Sequence, residues 1–330
     1  MRELATIQKI LALEPIDGAD AIEKATVLGW QLVVKKGEFE VGSLVVYCEI
    51  DCVMPDKPDF EFLKPRGMRI RTVRLRGQIS QGICFPTTIL PPDFAYNIGT
   101  DCTDVLGITK YEPPIPACLG GKTKGNFPSF IPKTDETRVQ NLQKLLDKYK
   151  DTPCYITEKL DGSSATYYIK DGVFGVCSRN LELTETDSNS FWKVAKQMNI
   201  EDKLRVLNRN VAFQGELIGE GIQHNRLKVK GQEVRFFNVY DIDACEYLPF
   251  KAFSDLMHIL GLPTVPIIKD DYLLANDINT IVHRATRRSV INPDVWAEGI
   301  VIRPLEERRD YIGRVSFKAI NPEFLLKYAD

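Results

Sequence analysis

Residues 155–180 read YITEKLDGSSATYYIKDGVFGVCSRN, and the fold turns on how they are parsed. Two apolar runs, SATYYIK and VFGVCSR, flank Asp171-Gly172, a dipeptide suited to a tight hairpin. Upstream, a further strand runs into Glu158-Lys159 and bends at Asp161-Gly162, so one lysine stands between two acids in a sharp turn. An isolated arginine, Arg179, ends the hairpin. Lys-x-Asp-Gly alone decides nothing, because average residue usage produces it in about one chain in ten to twenty of this length. Weight comes from the charged residues placed in the apolar strands that follow: Glu216 in FQGELIG, Glu298 in WAEGIVIRP and Lys318 in SFKAI. Ions are not buried in such strands without partners.

Working outward, residues from 153 onward alternate strand runs (CYITEKL, VAFQGELIG, VRFFNVYDID, AEGIVIRP, RVSFKAI) with helical patterns near 190–208, 250–260 and 276–288. Such interleaving fits an α+β domain of mainly antiparallel sheets with flanking helices. Residues 135–149, DETRVQNLQKLLDKY, carry apolar residues at helical spacing behind Asp135, a candidate N-cap, and open this larger domain, 135–330. Residues 1–108 read as short β-segments such as WQLVVKKG and SLVVYCEI, with a possible short helix at DAIEKAT, and suit a small β-barrel. Between them, 109–134 is a linker, because residues 111–134 hold five prolines and three glycines.

Bulk properties agree with two domains in 330 residues. A net charge of −2 argues against coating of the whole surface by nucleic acid, although a local basic stripe remains open. The eight cysteines form no CxxC pair and the three histidines no HExxH, so a histidine or thiolate zinc site is not expected. The start of the chain lacks a secretory core and no apolar stretch reaches membrane-spanning length, so an intracellular, soluble protein is expected, without membrane association and as a monomer.

The charged residues suggest one chemistry. A lysine is nucleophilic only as the free amine, and nearby acids oppose that state unless a cation neutralises them. Mg²⁺ (or Mn²⁺), held largely through its waters by Asp161, Glu216 and Glu298, would do so. Lys159 could then attack the α-phosphorus of a nucleotide, with Lys318 and Arg179 stabilising the charge that develops.

The ordered set EKLDG, SRN, QGELIGEG, FFNVYDID, AEGIVIRP and SFKAIN resembles the covalent nucleotidyltransferase superfamily, and within it the ATP-dependent RNA ligases. The paired Phe236 and Phe237, and GIQHN, resemble the nick-sealing phage-type enzymes. A small barrel ahead of the catalytic domain resembles the Naegleria-type RNA ligases, whose N-terminal domain is an OB fold. The resemblance implies joining of 3′-OH and 5′-phosphate RNA ends through lysyl-AMP and RNA-adenylate, with ATP and a divalent metal as cofactors. It assigns Lys159 to lysyl-AMP, Glu158 to adenosine, and Arg179 and Glu216 to the ribose. It further assigns Phe237 to stacking on adenine, Asp161 and Glu298 to metal waters, Lys318 to the α-phosphate and Arg138 to the leaving pyrophosphate. Because neighbours in a strand face opposite ways, only one of Phe236 and Phe237 can stack on a base. Many relatives carry a second lysine where this chain has Ile320, so either one cation suffices or Arg314 or another residue takes its place. Asn225 and Lys228 read best as polar loop.

The partner implied is RNA, as a nicked duplex or broken ends. In KPRGMRIRTVRLRGQ, Arg69 and Arg71, then Arg74 and Arg76, could project to one side of a strand with a bulge between Thr72 and Val73 and contact RNA phosphates. Two enzymatic alternatives share the lysine chemistry, an mRNA-capping guanylyltransferase and a DNA ligase. The third is a non-catalytic RNA-binding protein.

Overall fold

The computed structural model describes residues 3–112, 115 and 117–328. The chain forms two compact units. The first comprises Met1–Pro113 with Gln140–Gln143 and Pro322–Asp330, and the second Pro114–Val139 with Lys144–Asn321. The last turn, Pro322–Tyr328, thus groups with the first unit, whereas the sequence reading had assigned it to the catalytic domain.

In the first unit, Ala5–Ile16 is the spine of a five-stranded antiparallel sheet. It pairs with Ala19–Val27 on one side and Leu44–Cys48 on the other. A register shift between Ile10 and Ala12 lets one strand serve both neighbours. Trp30–Lys35 and Ile83–Pro86 are the outer strands, and the Gln81 amide donates to the Gln31 carbonyl to link these edges into a barrel. Ile7, Ile10, Val27, Trp30, Leu32 and Val45 fill the interior at 0% exposure. DAIEKAT is a strand, not a helix. Its Ala, Glu and Lys residues favour a helix weakly, but Ala25 and Val27 are drawn into the barrel core by pairing on both edges.

The second unit contains two sheets. The larger has seven strands in the order Thr123–Asn126, Leu181–Leu183, Val173–Cys177, Ser163–Lys170, Val211–Gly219, Gln232–Asp241 and Glu246–Tyr247. Ser190–Gln197, Ile200–Arg205 and Phe250–Leu260 cover one face, burying Phe191, Val194, Leu204 and Phe253 with Tyr167, Phe213 and Phe236. The smaller sheet has five strands: Thr137–Arg138, Phe317–Ile320, Gly299–Pro304, Pro153–Lys159 and Ile267–Leu273. Thr123–Asn126 lies within the stretch read as linker, yet pairs with Leu181–Leu183 at the sheet edge. The helix expected from residue 135 starts only at Gln143, because Thr137–Arg138 is captured as a parallel strand beside Phe317–Lys318. Among the described residues no helix is long and apolar enough to cross a membrane.

Candidate active site

Lys159 ends Pro153–Lys159 in the five-stranded sheet, paired with Gly299. Four residues later Ser163–Lys170 begins in the seven-stranded sheet, with Ser164 opposite Glu216. The Leu160–Gly162 bend therefore hands the chain from one sheet to the other. A Cβ on Gly162 would lie 2.5 Å from the Leu217 carbonyl oxygen and 2.8 Å from Glu216 Cγ, so the strand carrying Glu216 can approach only a glycine. At the head of the neighbouring strand of the same sheet as Lys159, Glu298 Oε2 accepts from Lys159 Nζ at 2.7 Å, with the two side chains 18% and 24% exposed. Glu298 directly precedes Gly299–Pro304, and its carbonyl accepts from the Asn321 amide.

The charges decide which state rests here. Burial depresses the Lys159 ammonium, but Glu298, Glu216 and Asp161 outweigh it and raise the pKa, so the resting amine is protonated. Burial pushes Glu216 up to about 8, with Glu298 and Asp161 adding repulsion that Lys159 and Arg179 only partly offset. Burial and Glu298 raise Asp161 to about 6 despite Arg226. The carboxylates thus exceed the cations that the chain supplies, which fits a divalent ion. Among the described residues no three acidic, histidine or cysteine side chains are grouped closely enough to hold a metal ion directly.

The residues expected to face the nucleotide fall into two groups. Arg179 and Lys318 converge on Asp135, at 3.2 and 3.9 Å. Asp135, expected as a helix cap, is instead a site residue. Arg138 pairs with Lys318, Lys318 with Val301 and Val301 with Thr157, a row two residues along from Lys159. Lys159, Lys318 and Arg138 therefore share one sheet face. Ile320 pairs with Gly299 and is 4% exposed, a buried apolar position. Arg314 is engaged by Glu307, by Asn238 at 2.8 Å and by the Tyr247 ring, 3.8 Å from its centroid, and so is committed elsewhere.

The aromatic pair divides as the strand geometry requires. Phe236 is fully buried, edge-on to Tyr167 and Phe213. Phe237 is half-buried at a bulge opposite Gln214 and Gly215, and packs with Leu160, Ile218, Leu227 and Val265. The Arg303 guanidinium lies 5.7 Å from its ring centroid. Glu158 faces away from Lys159 into the protein. Its carboxylate accepts from Ser289 Oγ at 2.5 Å and from the Val290 amide at 2.7 Å, and burial raises its pKa despite these bonds.

Three residues here escaped the sequence reading. Arg226 holds Asp161 at 2.6 Å, from a turn in which Gln223, His224 and Asn225 all have positive φ. Only its place directly after GIQHN could have drawn attention to it. Ser289 has no sequence signal. Arg303 sits inside IVIRP and is fixed by Glu136 at 3.0 Å and Ser316 Oγ at 2.8 Å, and an arginine in so apolar a run is a legible sign of a buried partner. Asn225 bonds only backbone groups of Val229 and Lys228 is exposed, in keeping with polar loop.

In the first unit, the arginine stripe is not the surface expected from strand parity. Arg69 is 7% exposed, pairs with Asp51 at 2.9 Å and stacks 3.6 Å over the Tyr111 ring. Arg69 and Arg71 precede the Val73–Leu75 strand, which contains Arg74. Arg74 pairs with Glu323, and Arg76 occupies the following turn with φ +47°, so no common strand face joins the four.

Similarity to known proteins agrees with this layout. An RNA ligase family profile matches residues 152–320, and an OB-fold domain profile matches residues 4–87. No curated protein matches. Among solved structures, an RNA ligase of Naegleria gruberi is 42% identical. One lysine-to-alanine variant of it, described with ATP and Mn, covers 98% of both chains with a TM-score of 0.92. A glutamate-to-alanine variant with ATP and Mn covers 100% of both at 0.93, and a structure with pyrophosphate covers 98% of both at 0.92.

Proposed function

The chain belongs to the ATP-dependent RNA ligase family, and from that premise we propose that Lys159 carries AMP from ATP to the 5′ end of an RNA strand. The observation that carries this reading is the Lys159–Glu298 contact of 2.7 Å, set in a cleft between two sheets beside Asp161 and Glu216.

In the first step the free Lys159 amine attacks the α-phosphorus of ATP, the bond to the bridging oxygen breaks, and pyrophosphate leaves as the amine loses its proton. Phe237 offers its half-buried ring to the adenine, Arg179 and Glu216 serve the ribose, and Lys318 and Arg138 meet the phosphates from the Lys159 face of the sheet. Glu158 serves the adenosine from the position Ser289 gives it. In the second step an oxygen of the RNA 5′-phosphate attacks the same phosphorus, the P–N bond breaks and the amine recovers a proton. In the third, the 3′-OH attacks the activated 5′-phosphate and AMP departs.

Asp161, Glu216 and Glu298 would hold a divalent ion through water; when bound, such an ion neutralises the acids around Lys159 and polarises the phosphate. Removing the acids' hold is required of the site, because Lys159 is protonated while Glu298 pairs with it.

Incubation with radiolabelled ATP and Mg²⁺ should label the protein, and Lys159→Ala should abolish the label. Absence of label in the unsubstituted protein would overturn the reading. Labelling by GTP in preference to ATP would indicate capping, and sealing of DNA nicks with RNA nicks untouched would indicate a DNA ligase.

A further inference from the structure

Between Ile278 and Pro293 the chain carries Arg284, Arg287 and Arg288 and no acid. Arg284 and Arg288 are exposed and Arg287 is half-buried, and none of the three has a carboxylate within ion-pair distance among the described residues. Favourable interaction with a helix C-terminus accounts for Arg284 at the end of Ile278–Ala285 but not for Arg287 and Arg288, which lie beyond the helix.

Two of the guanidiniums are held in place by aromatic rings. Arg288 lies 3.9 Å over the Trp296 ring and also donates to the Asp294 carbonyl, and Arg284 lies 4.8 Å over Tyr272. Stacking of this kind pre-orders a long side chain and leaves its N–H edges available, which lowers the entropy cost of meeting a phosphate. The run is also fastened to the site. Ser289, adjacent to Arg288, binds the Glu158 carboxylate, and the Arg287 carbonyl accepts from the Ala297 amide next to Glu298 and from Asn321. Consecutive Cα atoms are about 3.8 Å apart, so Arg288 stands within about one residue length of the group that touches Glu158.

We propose that Arg284, Arg287 and Arg288 form a docking ridge for the phosphodiester backbone of the RNA substrate, on the catalytic unit and beside the adenosine-facing wall of the site. The proposal rests on the RNA ligase reading and names where RNA lies on it. The ridge contributes charge without base readout, so it holds RNA of any sequence. It also takes the place of the Arg69–Arg76 stripe, whose first member is consumed by Asp51 and Tyr111.

The test uses the full chain with Arg284→Ala/Arg288→Ala, leaving Arg287 in place because it acts electrostatically on Glu158. Affinity for a fluorescent nicked RNA duplex is measured by anisotropy without ATP at several salt concentrations, alongside labelling of the protein by ATP without RNA. Expected are roughly tenfold weaker RNA binding, a salt slope shallower by about 1.5 for two lost phosphate contacts, and ATP labelling at the unsubstituted rate. Arg284→Lys/Arg288→Lys should recover most of the slope. Unchanged affinity and slope would overturn the ridge, as would loss of ATP labelling with RNA binding intact, which would assign these arginines to the nucleotide. Failure of the unsubstituted protein to take up AMP would count against the ligase reading alone, since RNA binding is read directly.

Discussion

Gly162→Ala tests whether the bend between the sheets is what places Lys159. The added Cβ falls 2.5 Å from the Leu217 carbonyl oxygen, 2.8 Å from Glu216 Cγ and 2.8 Å from Ile218 Cγ2. The two side-chain carbons can rotate away. The carbonyl cannot, because Ser163 and Ser164 pair with Leu217 and Glu216 in the ladder. Ordinary contact distances begin near about 3.5 Å, so the bend and the Glu216 strand must part by about 1 Å. Overpacking of this size costs about 1–3 kcal/mol, which lowers the melting temperature by roughly 2–4 °C per kcal/mol. A misplacement of about 1 Å between reacting groups costs on the order of 10²-fold in rate. Single-turnover labelling with ATP, paired with thermal melts, should therefore show a deep loss of adenylylation with a modest loss of stability. Gly125→Ala is the control, since a Cβ there meets nothing within 4 Å. Labelling by Gly162→Ala protein at the Gly125→Ala rate would refute the claim that this approach sets the site.

Phe236→Ala should destabilise by about 3–5 kcal/mol, as expected for a fully buried ring, whereas Phe237→Ala should raise the KM for ATP with a much smaller change in melting temperature. Equal effects on both readouts would remove the division of the pair. Arg69→Ala should cost about 1–3 kcal/mol by removing the guanidinium that pairs with Asp51 and covers Tyr111, with RNA affinity unchanged; a stable variant with weak RNA binding would restore the stripe. In protein free of nucleotide and divalent ions, Glu216 titrates at about 8 and Asp161 at about 6, above the unfolded values near 4. Between those limits the folded state binds more protons than the unfolded one, so these groups make stability fall as pH rises from about 5 to 8. Melting temperatures across that range should fall more steeply for the unsubstituted protein than for Glu216→Gln; parallel profiles would contradict the charge surplus.

What was legible in the sequence follows a physical division. Strands buried on both sides, such as Val211–Gly219 and Gly299–Pro304, announce themselves as apolar runs, and the ions set among them mark the cleft. Elements that owe their state to distant neighbours do not. Ala19–Val27 looks helical until Ala5–Ile16 and Trp30–Lys35 pair with it, and Thr137–Arg138 is a strand only because Phe317–Lys318 runs beside it. Arg69 looked like surface because its partners, Asp51 and Tyr111, lie far from it in sequence. Arg226 and Ser289 act through Asp161 and Glu158, contacts that no local pattern encodes.

The distribution of charge over the two sheets explains why a nucleophile can be stored among acids. Asp161 and Lys159 ride on the bend, Glu216 on the larger sheet and Glu298 at the head of a strand in the smaller one. Their spacing is therefore set by how the sheets meet and not by the flexibility of one loop. Lys159, Arg226 and Arg179 only partly offset the burial and mutual repulsion of these acids, and the raised pKa values of Asp161 and Glu216 are the cost. A site that relaxed this strain with a further arginine would be more stable and would keep Lys159 unpaired, but it would have nothing left to attract positive charge from solution. The surrounding acids keep the amine protonated at rest, and in the proposed reaction a nucleotide bound with a divalent ion would relieve the acids and free the amine.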